Sequence, residues 1–241
     1  MTSQGPAVRA IEHEHPDVTG GWLRPAVFGA MDGLVSNLAL VAGVAGGTRG
    51  AADSSAVVLA GLAGLAAGAF SMAAGEYTSV ASQSEAAARE IEKERAEIVR
   101  NPEGEARELA AMYVNKGIDV ELAQAVALQV HRDVENAVVV HAREELGLDP
   151  HDLPSPMVAG VSSFLSFAVG ASLPVLPYLL GASSLLPALV VTLLALFACG
   201  AVVTQITNRS WWYGGLRQLV LGLAAAGLTY AIGASVGTSL G

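Results

Sequence analysis

Cysteine is nearly absent: Cys199 is the single one in 241 residues, and it lies inside an apolar run. An intrachain disulfide is therefore excluded, and a thiolate zinc site lacks its ligands. Charge is scarce as well. Charged residues make up 15% against 52% hydrophobic, and mean hydropathy is +0.48, too little polar surface to coat the apolar mass in water. An ordinary soluble enzyme is excluded and a membrane protein expected. Basic residues are in deficit, 13 Lys+Arg against 22 Asp+Glu for a net charge of −9, the wrong sign for nucleic-acid phosphates. No nucleic-acid partner is expected. The start of the chain has no basic stretch leading into a short apolar core and cleavage site; residues 1–24 form a polar tail containing Glu12-His13-Glu14-His15-Pro16, which does not read as a secretory signal.

Long apolar runs are what the sequence has in plenty. Five of them, at about 25–47, 55–77, 155–180, 184–207 and 211–236, reach the roughly 20 residues a helix needs to cross a bilayer. Short-loop basic residues set orientation: Arg24, Arg209 and Arg217 fall on one side with the bases of the 81–150 segment, against Arg49 alone on the other. The N-terminus and that segment are predicted cytoplasmic. Trp22, Trp211 and Trp212 stand at span ends on the same side, where indole rings favour the headgroup layer of the lipid. The chain thus divides into a tail (1–24), spans one and two (25–80), an acidic insert (81–150) and spans three to five (151–241). Gly29 and Gly33 on the first span, and Gly61, Gly64 and Gly68 on the second, have the spacing that lets helices approach closely, either within one subunit or along a homodimer seam.

The insert carries 15 Asp+Glu and 8 Lys+Arg, a net of −7. Neither Pro nor Gly occurs between Glu76 and Asn101, so the second span is predicted to continue out of the membrane as one rigid helix. Asn101-Pro102 ends it and starts a second helix, with proline in the tolerated first turn, and Gly117 closes that one. Asp119 caps a third, expected to run unbroken to Gly147. At about 100° per residue, Glu90, Glu94 and Glu97 share a stripe of the first helix. Glu105, Glu108 and Met112 align on the second. Val130, Val134, Val138, His141 and Glu145 share a face of the third, with His131 at its edge. Most charge runs are solvated helix faces. Here each acidic stripe adjoins an apolar one, so bundling would converge carboxylates, and a divalent cation would neutralise them. Carboxylates with His and Met suit ferrous iron or manganese better than calcium.

Within the spans, Asp32 lies seven residues beyond Pro25, where a carboxylate is costly unless it faces a cavity or a partner. No Lys or Arg occurs in the core of any span to neutralise it, which leaves a cation from solution. Asn37 follows on the same span. Met72 and Glu76 come at the end of the second, within reach of Asp32 if the spans pack.

Gly29-Ala-Met-Asp32-Gly-Leu-Val, Ala39-Leu-Val-Ala-Gly43, Gly61-Leu-Ala-Gly-Leu-Ala-Ala-Gly-Ala-Phe-Ser-Met72-Ala-Ala-Gly-Glu76-Tyr and the Glu-rich insert ending Glu145-Leu-Gly-Leu148 resemble the vacuolar iron transporter family of plants and yeast and its bacterial relatives. The similarity spans roughly residues 22–240. The resemblance implies an all-α membrane protein: a five-span homodimer with its ion path between subunits, and a cytoplasmic three-helix domain, inserted between spans two and three, that gathers metal before transport. It implies that Asp32 and Met72 line the path and that Glu94, Glu97, Glu105, Glu108 and Glu145 bind metal. One departure stands out: where plant members have a Met-Met pair four and three residues before the last Glu, this chain has His141 and Ala142. Imidazole in place of sulfur is expected to shift selectivity toward manganese or to make binding pH-sensitive, an unperturbed histidine titrating near pH 6.5.

The expected function is proton-coupled export of ferrous iron, with manganese as a second cargo and no permanent cofactor. A membrane-anchored metal sensor or buffer, and a ferritin-like oxidase, are the alternatives. The oxidase usually needs paired Glu-x-x-His motifs, and the insert has none. Eleven Arg against two Lys, with abundant Ala and Gly, point to a GC-rich bacterial source and hence to a plasma membrane.

Overall fold

The computed structural model describes residues 21–48, 54–206 and 209–240. The tail bearing Glu12 and His15, and the loop residue Arg49, lie outside them. The described residues form eight α-helices and no strand: α1 (Leu23–Gly47), α2 (Ser55–Arg100), α3 (Pro102–Asn115), α4 (Val120–Val130), α5 (Val134–His141), α6 (Pro156–Leu179), α7 (Leu185–Ile206) and α8 (Trp211–Leu240). A π-helical turn, Ala142–Leu146, extends α5.

Helices α1, α6, α7 and α8 and the first part of α2 are long and apolar enough to cross a membrane. Their outward faces carry large apolar side chains, Leu59 at 72% exposed and Phe70 at 68%, an arrangement suited to lipid and not to water. Inside, α1 packs along both α6 and α8, and α2 along α6. Small residues make this possible. A side chain at Gly33 would collide with the Phe167 backbone of α6, and one at Gly170 with the Ala30 carbonyl of α1, so these helices touch backbone to backbone. Gly29 and Gly61 likewise face α6, Gly64 faces Leu40 and Asn37 of α1, and Gly68 faces the Phe167 ring. The glycine stripes thus serve packing within one chain. Asn37 fastens the same helices: its side-chain amide donates to Gly61 O at 3.1 Å on α2 and to Ala171 O at 2.6 Å on α6.

Helix α2 runs unbroken for 46 residues, about 70 Å at 1.5 Å per residue. Asn101 ends it, its side chain accepting a hydrogen bond from the Gly104 N–H at 3.2 Å, and Pro102 opens α3. Two small cores hold the insert together. Ile91 and Ile98 of α2 pack on Ala137 and Val138 of α5, and Leu109 and Ala110 of α3 on Ala123 and Ala127 of α4.

The expected third insert helix is broken. It ends at His131 and restarts after Asp133, whose carboxylate accepts hydrogen bonds from the N–H groups of Glu135 (2.9 Å) and Asn136 (3.3 Å), so the three-helix insert becomes four helical segments. The break also splits the expected common face: Val138 and His141 are buried, whereas Val134 and Glu145 are exposed. Gly147, at φ +66°, closes the π turn in the left-handed conformation that favours glycine.

Candidate metal centre

Two places gather potential cation ligands. In the insert, Glu94 on α2 is 6% exposed and its Oε1 makes no hydrogen bond. His141, the last residue of α5, is fully buried, with Nδ1 2.8 Å from that oxygen but without an aligned hydrogen bond at either ring nitrogen. Half-buried Glu105 joins them from the first turn of α3. One ligand atom each from Glu94, Glu105 and His141 lies within 4.8 Å of the others, the span of a single ion's coordination sphere.

Carboxylates dominate the electrostatics of the group. Burial pushes the Glu94 carboxyl up to about 7, and the charges of Glu145, Glu105, Glu97 and Glu108 add to the effect. Glu105 is raised by burial, then by Glu108, Glu97 and Glu145, with His131 opposing them. Every charge acting on Glu94 is another carboxylate, so a cation is what the cluster lacks. His141 moves the other way, down to about 4, because burial and neighbouring His131 disfavour its protonated form. This corrects the expectation of a histidine titrating near pH 6.5: at neutral pH His141 is already neutral, and Glu94 is the group poised to lose a proton.

The remaining insert candidates sit apart from this group. Glu97 is partly exposed, 4.0 Å from Arg100, and Glu145 and Glu108 are exposed, within electrostatic range only. Glu90 is exposed and pairs with Lys93 at 3.7 Å. Met112 packs against the Leu109 core. Spacing alone underrated His131, whose ring lies edge-on to His141 with centroids 5.1 Å apart. The signal was Asp133, a good capping residue that interrupts the helix just beyond it.

The second place is inside the spans. A cavity of about 240 Å³ between α1, α2 and α6 is lined by Asp32, Asn37, Gly64, Gly68, Met72 and Phe167, among others. The glycines leave the room. Asn37 has spent both amide hydrogens on backbone carbonyls, so its Oδ1 remains buried and without a hydrogen-bond partner. The cavity therefore combines a carboxylate, an amide oxygen and a thioether, all of them acceptors. Glu76 does not line it; one turn beyond Met72, it pairs with Arg24 at 3.4 Å.

The described residues, helices joined by turns, form an integral membrane protein with five such spans and two clusters of acceptor side chains. Residues 23–234 match the VIT family, and the chain belongs to it. It is 36% identical over 236 residues to the vacuolar iron transporter of Acanthamoeba castellanii, covering 95% of this chain and 84% of that one. It is also 30% identical to vacuolar iron transporter 1 of Oryza sativa subsp. japonica (94% and 91% covered) and 30% identical to that of Arabidopsis thaliana (91% and 88%).

Proposed function

We propose that this chain is a transporter, not an enzyme, that exports ferrous iron from the cytosol in exchange for protons, with manganese as a second cargo. It acts as a homodimer in a bacterial plasma membrane, with the N-terminus and the 81–150 insert in the cytoplasm. The observation that carries the reading is the cavity within the spans: Asp32, Asn37 and Met72 offer acceptors only, at membrane depth, with no basic side chain lining it. Family membership and the names of its relatives support iron as the cargo.

In this reading the insert collects the ion. Glu94, Glu105 and His141 hold it, and Glu97, Glu108 and Glu145 attract it. Glu76, ion-paired with Arg24, stands at the mouth of the path, and Asp32 takes metal and proton in turn. Ser36, Leu40 and Ser71 are exposed on the cavity's outer side, where a second copy would close the path. Moving a divalent ion out against an inside-negative potential costs about 4.6 kcal/mol per 100 mV, and exchange for two protons removes that term.

Purified protein in liposomes enclosing a pH dye tests this with iron, manganese, cobalt and zinc in turn. Uptake of ferrous iron with alkalinisation of the lumen is expected. Uptake with no pH change would overturn the coupling, and no uptake of any metal would overturn transport itself.

A further inference from the structure

We propose that His131 is a further ligand of the insert's ion, donating through Nε2, so that two imidazoles and not one hold the metal. The proposal rests on reading the Glu94, Glu105 and His141 group as a metal site, and extends it by a residue from a different helix.

The tautomer is set by a backbone contact. His131 Nδ1 lies 2.9 Å from the Ala127 carbonyl oxygen, one turn back along α4. A carbonyl can only accept, so Nδ1 carries the hydrogen, and in the neutral ring Nε2 holds a free lone pair. That nitrogen is buried and has no hydrogen-bond partner among the described residues. A buried acceptor left unpaired is unfavourable unless something fills it. Donation of the remote N–H to a backbone carbonyl is the usual support of a metal-bound imidazole, since it fixes both the ring's orientation and the lone pair.

The surroundings identify what would fill it. The ring stands edge-on to His141, 83° between planes, and His141 itself has two buried ring nitrogens without hydrogen bonds. The ring therefore neighbours His141, one of the three clustered ligands. The helix break now has a use: with α4 ending at His131 and α5 restarting after Asp133, two histidines ten residues apart come to lie ring against ring. Two nitrogen donors favour later first-row ions over manganese, so His131 would bias the site toward ferrous iron.

The chain has five histidines, His13, His15, His131, His141 and His151, which makes the imidazoles countable. Replacing His13, His15 and His151 by Gln in the full-length protein leaves only the two in question. Loaded with one equivalent of Cu2+ and examined by pulsed electron paramagnetic resonance, that background should show remote-nitrogen modulation with the combination lines of two coordinated imidazoles. Adding His131→Gln should reduce the pattern to one imidazole and weaken Co2+ binding by about tenfold or more. A single-imidazole pattern in the background, unchanged by His131→Gln and lost with His141→Gln, would overturn the role of His131 and leave the site standing. No imidazole modulation in the background would overturn the site and the proposal together. The count in the background decides the matter even if His131→Gln fails to fold.

Discussion

Glu94 and His141 face each other with their titrations displaced in opposite directions, Glu94 to about 7 and His141 to about 4. Metal needs the carboxylate and the neutral imidazole. Protons therefore compete for Glu94, and metal affinity should fall as pH drops through about 7, with no separate step near 6.5. A metal titration between pH 5 and 8 should give the same midpoint for the parent and His141→Met, whereas Glu94→Gln should bind more weakly and lose the step. The same shifts act on stability without metal. Glu94, with its folded pKa raised, contributes stability that is present below about pH 4.5 and lost as pH rises through 7. His141, with its folded pKa lowered, contributes stability that is present above about 6.5 and lost as pH falls through 4. Metal-free Glu94→Gln protein should accordingly melt higher than the parent at pH 8, and a thermal scan checks it. Asn37 works by hydrogen bonding. Its two buried bonds to α2 and α6 are each worth about 0.5–1.5 kcal/mol, so Asn37→Leu should lower the melting temperature in detergent, whereas Asp32→Asn should not.

At the scale of elements, the α4 to α5 break depends on Asp133, and removing such a cap costs about 1 kcal/mol. Asp133→Ala should loosen the segment that carries His131 and His141 and weaken metal binding, while the span helices keep their circular dichroism; Asp133→Asn, which can still cap, should restore binding. Gly33 tests the membrane half in the same way. Its Cα faces the α6 backbone directly, so Gly33→Val should separate α1 from α6 and cost about 1–3 kcal/mol or more, read as a loss of monodisperse protein in detergent.

Over the whole molecule, the elements legible in the sequence were those set by long-range composition. The ends of the apolar runs match helix ends at Gly47, Ser55, Pro156, Leu179, Leu185 and Trp211 within two residues, and the lack of Pro and Gly from 77 to 100 agrees with the unbroken run of α2. Less legible was whatever depends on burial or on one competing hydrogen bond. Asp133 lies in an otherwise helical pattern and breaks it only because its carboxylate captures two backbone N–H groups. His141 titrates low because its whole ring is buried, a property no spacing reveals. Glu76 sits at helical distance from Met72, yet Arg24 takes it.

On the proposed path, an ion gathered in the insert moves through the cavity at Asp32. The most direct measurement compares wild type with Asp32→Asn in liposomes, following ferrous iron entry while a parallel titration in detergent follows binding to the insert. Abolished transport with insert binding intact is predicted. Wild-type transport by Asp32→Asn would contradict the account.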